Sequence, residues 1–373
     1  MRFVSPVLKH VVFPVLSRSG FLCSSANNAA ATAGPAIVTY HGVFPEGHQL
    51  RNAALDGNLV HADSLRRQLR LLRKRYYVVS PADFLRWSQG TQSLPPRSIL
   101  LTCDDALQNT LTVMLPILQE FGVECLFFAT GASADEMPSM LWYEELYLML
   151  LDAPLPVHLN IPEAQVDTGF VAAELRHACW WGLVERLSCF DQAKRSGLLD
   201  RIRDQLRLPP TWRMQVTESS AAASRFLVLN RAGLLKLAAS GMSVGAHSMS
   251  HPILARASDE VAWQEVSESK RVLEQALGQT VWAFGYPFGN GATVSAREVS
   301  FAKRAGYRCA FMNIGGGFGA KTERFVLPRV HVTSDMTLAE FEAHVSGFHS
   351  WLRKKLTGTD EMEALLASHV DAI

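Results

Sequence analysis

The 373-residue chain lacks the features that mark several large classes of protein. Its formal net charge is only +1 and it has no basic stripe, so it shows no footprint of nucleic-acid binding. It also has no run of about 18 apolar residues, which a membrane-spanning helix needs. Its six cysteines form no C-x-x-C pair, which favours scattered buried thiols over a disulfide framework or a zinc knuckle. With 48% hydrophobic and 19% charged residues, the composition is that of a globular protein.

The first 35 residues form a segment whose role the sequence leaves open. A short apolar run at 11–16 follows two basic residues, and Ala31-Thr32-Ala33 resembles a signal-peptide cleavage site. Pro14 and Arg18 limit the run, whereas a signal peptide usually has about 7–15 apolar residues in its core. We therefore expect residues 1–35 to be an amphipathic or targeting segment, with a helix lying on the domain or on a membrane favoured over a signal peptide. A cytoplasmic protein, or one peripheral to the inner membrane, is favoured over an exported one.

Short apolar runs that end in polar residues recur along the chain. Their length and apolar content are typical of strands buried on both faces, as in a parallel sheet. Helical patterns lie between them: one is predicted to stop at Gly122, and another to begin at Ser258 and stop at Gly278. This alternation indicates an α/β barrel or an open α/β sheet. The predicted strands are residues 36–40, 98–103, 123–129, 242–245, 281–286 and 308–312.

The stretch from Ser133 to Ser224 breaks this alternation. It contains four tryptophans, helix-like patterns and few strand signals. We expect a mostly helical cap over the strand ends, because loops on that face of a barrel usually shape the substrate site. A small second domain unrelated to the site is the alternative. The main domain then spans residues 36–345 with the insertion 133–224, and residues 346–373 are expected to form a terminal helix.

Two polar clusters follow predicted strands. Asp104 and Asp105 are adjacent carboxylates that repel each other and resist desolvation, so a bound cation would stabilise them, although a surface turn or a helix N-cap also explains such a pair. His247 and His251 are four residues apart, so both imidazoles can reach one ion from a helical turn. Two His and one Asp leave a position open for water, as in catalytic zinc sites. The clusters together predict a catalytic metal centre, with the other Asp free to act as a base.

These motifs resemble those of the polysaccharide deacetylases, carbohydrate esterase family 4, also called the NodB homology domain. The segment 102–106, Thr-Cys-Asp-Asp-Ala, resembles the family's T-F-D-D-G, and 247–251 matches its H-[S/T]-x-x-H. The resemblance covers about residues 36–132 and 226–345. It implies a distorted (β/α) barrel of about seven parallel strands. The flanking segments that agree are Leu115–Leu118, Phe127-Phe128, Ser269–Glu274 and Phe284–Gly289, together with Tyr40-His41-Gly42-Val43, which is similar to the Y-H segment opening many members.

The resemblance also implies roles for individual residues. Asp104 stands in the place of the catalytic base. Asp105, His247 and His251 stand in the places of the metal ligands. The backbone N–H of Phe288 lies where the family helps to hold the oxyanion.

The proton donor is harder to assign from the resemblance, because in the family it is usually a His in a late L-x-H segment. In members with a permuted motif order, that strand comes first in the chain. His41 then occupies the place and is the predicted acid. His331, in a partial late match, is the rival.

The chain departs from the family pattern at two points. Ala106 replaces the usual Gly after the Asp pair, so the φ angle or the loop is expected to differ. The Arg of the third motif, which orients the base, is missing, and Tyr286 stands near its place. Arg329 is the proposed substitute, with a surface arginine as the alternative. Phe288, Tyr286 and Arg329 are therefore the candidate oxyanion or substrate residues.

The resemblance implies metal-dependent removal of acetyl groups from an N-acetylhexosamine-containing polysaccharide or oligosaccharide, with release of acetate. One divalent ion is expected, and an Asp-His-His set favours zinc. Two alternatives stay open: a degenerate, non-catalytic sugar-binding relative, and an O-acetyl esterase acting on a glycan. The expected partner is a glycan with N-acetyl groups. No protein partner is readable, and membrane association through the N-terminal segment stays open.

Overall fold

The computed structural model describes residues 5–24, 34–316 and 323–358. Within them, strands and helices alternate as the sequence predicts. The strands are β1 Ala36–Tyr40, β2 Tyr77–Val79, β3 Ser98–Cys103, β4 Leu126–Ala129, β5 Val157–Ile161, β6 Val166–Phe170, β7 Ser243–Ala246, β8 Ala283–Gly285, β9 Cys309–Phe311 and β10 Val330–His331. The helices are α1 Phe13–Arg18, α2 Ala53–Asp56, α3 Ala62–Arg75, α4 Pro81–Ser88, α5 Leu115–Phe121, α6 Trp142–Asp152, α7 Arg176–Leu187, α8 Gln192–Gln205, α9 Trp212–Val216, α10 Ser220–Phe226, α11 Arg231–Ala239, α12 Asp259–Leu277, α13 Ala296–Arg304, α14 Leu338–Val345 and α15 Phe348–Thr357.

One parallel sheet forms the centre of the molecule. Its strands follow the order β10-β1-β3-β4-β7-β8-β9, and β2 pairs with β3 beside this path. Leu327, shortly before β10, forms a parallel bridge with Phe311 of β9, so the two edges of the curled sheet approach each other. The fold is the predicted (β/α) barrel of about seven parallel strands, surrounded by helices.

The strands are buried on both faces, as their continuous apolar runs predict. All six residues of β3 are buried. Leu100 packs in a cluster with Phe128 and Phe311 that consists mostly of strand residues. Its neighbour Leu101 belongs to the larger cluster, which includes Leu118 of α5. Adjacent residues of one strand therefore enter different halves of the core.

The predicted element boundaries agree closely at several points. The first two predicted strands, 36–40 and 98–103, have the observed bounds. Gly122 and Gly278 end α5 and α12 with φ of 60° and 66°, and the Ser258 side chain caps α12 by accepting from a backbone N–H. Of the other strands, β4, β8 and β9 are one to three residues shorter at one or both ends than predicted, and β7 is shifted by one residue. The short strand β2 was not predicted, because three residues are too few to show a pattern.

The insertion is mostly helical: α6 to α9 lie within it, and α10 crosses its end. It has its own apolar core, which includes Leu146, Val184 and Leu199. The antiparallel hairpin β5–β6 was not predicted. Its first strand alternates buried and exposed residues from Val157 to Ile161, which is the period-2 signal of a half-buried strand.

The N-terminal segment packs against the end of the chain. A π-helical turn, Leu8–Val12, leads into α1. Phe13 and Leu22 are fully buried in one cluster with Ala343 of α14. The opposite side of the segment exposes large apolar side chains at four-residue spacing: Val7, Val11 and Val15.

Two sequence predictions concern residues that the structure does not describe. The Ala31-Thr32-Ala33 motif lies outside the described residues, and so do residues 359–373 of the predicted terminal helix, whose described part is α15. Among the described helices, none has the length and apolar character needed to cross a membrane. The six cysteines are free thiols.

Candidate functional site

The carboxyl ends of the barrel strands bring the predicted site residues together. His41 follows β1, Asp104 and Asp105 follow β3, and His247 follows β7, with His251 four residues further on. All five side chains line one cavity of about 180 Å³. Parallel strands end at the same edge of a sheet, which is why residues so distant in sequence meet here.

The three predicted metal ligands converge. The Oδ1 atom of Asp105 lies 3.7 Å from Nε2 of His247 and 3.5 Å from Nε2 of His251. One potential ligand atom from each residue lies within 4.8 Å of the others, and all three side chains are buried. The two imidazoles therefore face the same point, as a shared ion requires.

The histidines are in the form that binds metals. Nδ1 of His247 lies 2.7 Å from the carbonyl oxygen of Gly285, so a proton on Nδ1 leaves Nε2 as the free lone pair toward Asp105. Burial lowers the pKa of His247, and burial together with the nearby His247 lowers that of His251 well below its usual value. Both rings are thus neutral at neutral pH.

Asp105 provides the test of whether a cation fits. Its buried Oδ1 atom has no hydrogen-bond partner among the described residues. Burial, followed by the charge of Asp104, raises the pKa of Asp105 well above its usual value. This unpartnered carboxylate oxygen faces two neutral imidazoles, so it has no positive charge nearby to stabilise it. A divalent cation bound between the three residues would supply that charge. The donor set therefore fits such an ion.

Arg329 holds Asp104. Its two terminal nitrogens donate to Oδ1 and Oδ2 of Asp104, each at 2.6 Å, and one of them also lies within hydrogen-bond distance of the hydroxyls of Thr39 and Thr102. The alternative of a surface arginine is wrong, because Arg329 is 1% exposed. Burial alone would raise the pKa of Asp104, but the guanidinium holds that pKa well below its usual range. Asp104 is therefore an ionised carboxylate with a fixed orientation.

The loop after β3 keeps a glycine-like backbone although no glycine is present. Asp105 and Ala106 have φ of 69° and 47°, in the left-handed region. This conformation costs a non-glycine residue about 1–2 kcal/mol. Ala106 therefore holds a left-handed backbone that a glycine would adopt without this strain.

His41 lies beside Asp104, with 3.9 Å between its Nε2 atom and Oδ2 of Asp104. Its ring packs against that of His331, with 4.7 Å between the centroids. His41 lines the cavity, whereas His331 is not among the described residues that do. Burial lowers the pKa of His41 to about 4 and outweighs the opposing effect of the Asp104 carboxylate. The resting imidazole is therefore neutral.

The segment after β8 contributes Tyr286 and Phe288. The ring of Phe288 lies 4.8 Å from that of His251 and 5.3 Å from that of Tyr143. Phe288 has a φ of 58°, which sets the direction of its backbone beside residues 247–251, the segment called the metal loop below because it carries two of the predicted ligands. Tyr286 is fully buried, and its hydroxyl donates to the carbonyl oxygen of Phe325 at 3.0 Å. Tyr286 is among the residues that line the cavity, with its hydroxyl engaged by Phe325.

The insertion forms part of the cavity wall through four residues: Tyr143, Glu144, Trp180 and Trp181. Trp212 does not take part; it is 3% exposed and donates its indole N–H to Asp152. Sequence reasoning singled out the tryptophans but missed Tyr143 and Glu144. No signal separates those two from ordinary residues of an apolar helix.

Known proteins share this architecture. A family model described as polysaccharide deacetylase matches residues 216–310. The deacetylase PplD of Streptococcus pyogenes, solved with acetate, has a TM-score of 0.52 and 18% identity, covering 83% of this chain and 97% of its own. IcaB of Ammonifex degensii has a TM-score of 0.52 and 15% identity, covering 84% and 97%. A Bacillus cereus polysaccharide deacetylase gives 0.50 and 16%, covering 83% and 68%. At these identities the structural likeness shows a shared fold. A search among curated proteins gave no match.

Proposed function

We propose that the chain, whose residues 216–310 match the polysaccharide deacetylase family model, hydrolyses acetamide groups of an N-acetylhexosamine-containing glycan and releases acetate. One observation carries the proposal. The cavity is lined by Asp104, an ionised carboxylate bound by Arg329, and next to it by an Asp-His-His set that fits a divalent cation. A base beside a metal is the arrangement that metal-assisted hydrolysis needs.

Asp105, His247 and His251 would hold the ion, and their nitrogen and oxygen donors favour zinc. When bound, such an ion polarises a carbonyl and lowers the pKa of water. The remaining steps fall to the chain itself.

Asp104 is the proposed general base. Its carboxylate must be ionised to take a proton from the attacking water, and the bidentate contact with Arg329 keeps it so. The same contact fixes the orientation of the carboxylate, since two parallel hydrogen bonds allow little rotation. Arg329 thus acts in place of the arginine that is missing from the third motif.

The backbone N–H of Phe288 is the proposed donor to the oxyanion, a contact of a type that contributes about 3–4 kcal/mol.

His41 is the proposed proton donor to the leaving amine. Because its pKa is lowered to about 4, it is neutral at rest and gains a proton only as the reaction proceeds. Its 3.9 Å approach to Asp104 supports a short path for that proton.

The rings of Trp180 and Trp181 suit the apolar faces of a pyranose. We propose that they form a sugar-facing wall of the cavity. A missing arginine would suit the alternative of a degenerate, non-catalytic relative, but the Arg329–Asp104 contact supplies an arginine to the base.

The test is acetate release from a panel of N-acetylglucosamine oligomers and polymers and of O-acetylated glycans. We expect release from the N-acetylated substrates, loss of activity with a chelator, and recovery when zinc is added back. Release only from O-acetylated glycans would favour an esterase. A metal-loaded protein that binds glycans but releases no acetate would instead favour the non-catalytic relative.

The assignment of the acid is tested by His41→Ala and His331→Ala. We expect a loss of about 10²–10⁴-fold in kcat for His41→Ala, the usual range for acid–base residues, and a much smaller loss for His331→Ala. Metal content should stay at the wild-type level in both. If His41→Ala keeps full activity and His331→Ala loses it, the late histidine carries the proton.

A further inference from the structure

The loop that carries His251 is held in an unfavourable conformation. Ser248 and His251 have φ of 60° and 59°, which non-glycine residues rarely adopt. Such residues persist only where neighbouring groups fix the backbone. One support lies within the loop, where the Ser248 hydroxyl accepts from the backbone N–H of His251 at 2.9 Å.

A second support comes from the barrel. Glu265 of α12 is 4% exposed, and its carboxylate accepts from the backbone N–H of Ser250 at 2.8 Å and from the Ser250 hydroxyl. The backbone N–H of Met249 donates to the carbonyl of Glu265 at 3.0 Å. One residue of α12 therefore fixes two consecutive positions between the paired histidines.

The third support comes from the insertion. Arg195 of α8 is 1% exposed and donates to the Ser250 hydroxyl, while its charge lies 3.7 Å from the carboxylate of Glu265. The guanidinium lies 4.8 Å over the ring of Trp142 in α6. The indole N–H of Trp142 donates to the carbonyl oxygen of His251 at 3.0 Å. The insertion thus holds the metal loop at residues 250 and 251.

We propose that Arg195 is a positioning residue for the metal centre, so that the insertion completes the ion-binding site as well as covering it. The inference rests on the proposed function only in that Asp105, His247 and His251 bind a divalent ion. Arg195 acts through Ser250 and Glu265, and its loss leaves the Glu265 carboxylate buried without its cation. The loop is then free to relax from its strained conformation, and His251 loses its fixed position relative to Asp105.

The experiment measures the zinc affinity of the full-length, metal-stripped protein by competition with a chromophoric chelator. We expect Arg195→Met to weaken zinc binding by about 10–100-fold, the usual effect of removing a group that orients a ligand. Arg195→Lys keeps the positive charge but has fewer donors, so we expect an intermediate affinity. Arg213→Met is the matched control, since Arg213 belongs to the same insertion but is partly exposed and pairs with Glu145.

A double-mutant cycle keeps the test independent of general destabilisation. If Arg195 acts through the Ser250 hydroxyl, Arg195→Met and Ser250→Ala should show strongly non-additive effects on zinc affinity. Circular dichroism of each metal-free variant shows whether the fold is kept. Wild-type affinity in a folded Arg195→Met protein, additive effects in the cycle, or an equal loss in Arg213→Met would each overturn the proposal. If the variants show that zinc affinity depends on Arg195, but the wild-type protein releases no acetate, the inference about Arg195 stands and the proposed activity fails.

Discussion

Asp104→Asn is expected to reduce kcat for acetate release by about 10²–10⁴-fold while zinc content stays near the wild-type level. An amide cannot take the proton from the attacking water, so the chemical step loses its base. The metal is held by other residues, because the three converging ligand atoms belong to Asp105, His247 and His251. Turnover and zinc content are measured on the same preparation, by acetate assay and by atomic absorption.

Asp105→Asn is the matched variant, since it removes a charge from the adjacent position in the same loop. We expect it to lose both zinc and activity, because an amide is a poorer ligand than a carboxylate. If instead Asp104→Asn loses the metal and Asp105→Asn keeps it, the roles of the two aspartates are reversed. Full activity in Asp104→Asn would show that another group is the base.

The sequence predicts those site residues whose position is determined by the end of a strand. The apolar runs before His41, Asp104 and His247 were visible as buried strands, and parallel strands place the residues that follow them at one edge. Ligand chemistry then predicted that one Asp of the pair joins the two histidines, and the resemblance to the polysaccharide deacetylases implied that it is Asp105. These features are local in sequence, or depend on a single topological rule.

Other parts of the site depend on contacts that no local pattern reveals. The sequence offered Arg329 as the substitute arginine but left a surface position equally open, because only closure of the sheet places it against Asp104. The low pKa of His41 comes from burial, and how completely a side chain is buried depends on the whole fold. The Arg195–Ser250 contact joins the insertion to the metal loop, and nothing in either segment marks the other as its partner.

Arg329→Met is expected to destabilise the fold by about 3–5 kcal/mol, since it leaves the carboxylate of Asp104 buried without its partner. The effect should depend on pH. The folded-state pKa of Asp104 is lowered by Arg329, so the stabilising contribution is present above the unfolded value of about 3.9 and is lost as pH falls through the folded value. The difference in unfolding free energy between wild type and variant should therefore narrow as the solution becomes acidic, which urea titrations at several pH values measure.

Two further variants separate the electrostatic role of Arg329 from its role in orienting the base. Arg329→Lys keeps the charge but not the bidentate geometry, so it should recover part of the lost stability while kcat remains low. Arg324→Met removes an exposed arginine from the segment before β10 and should leave both quantities near wild type. A destabilisation by Arg329→Met that is equal at all pH values would mean that the arginine acts by packing alone. Full kcat in Arg329→Lys would show that the base needs a nearby positive charge but no fixed orientation.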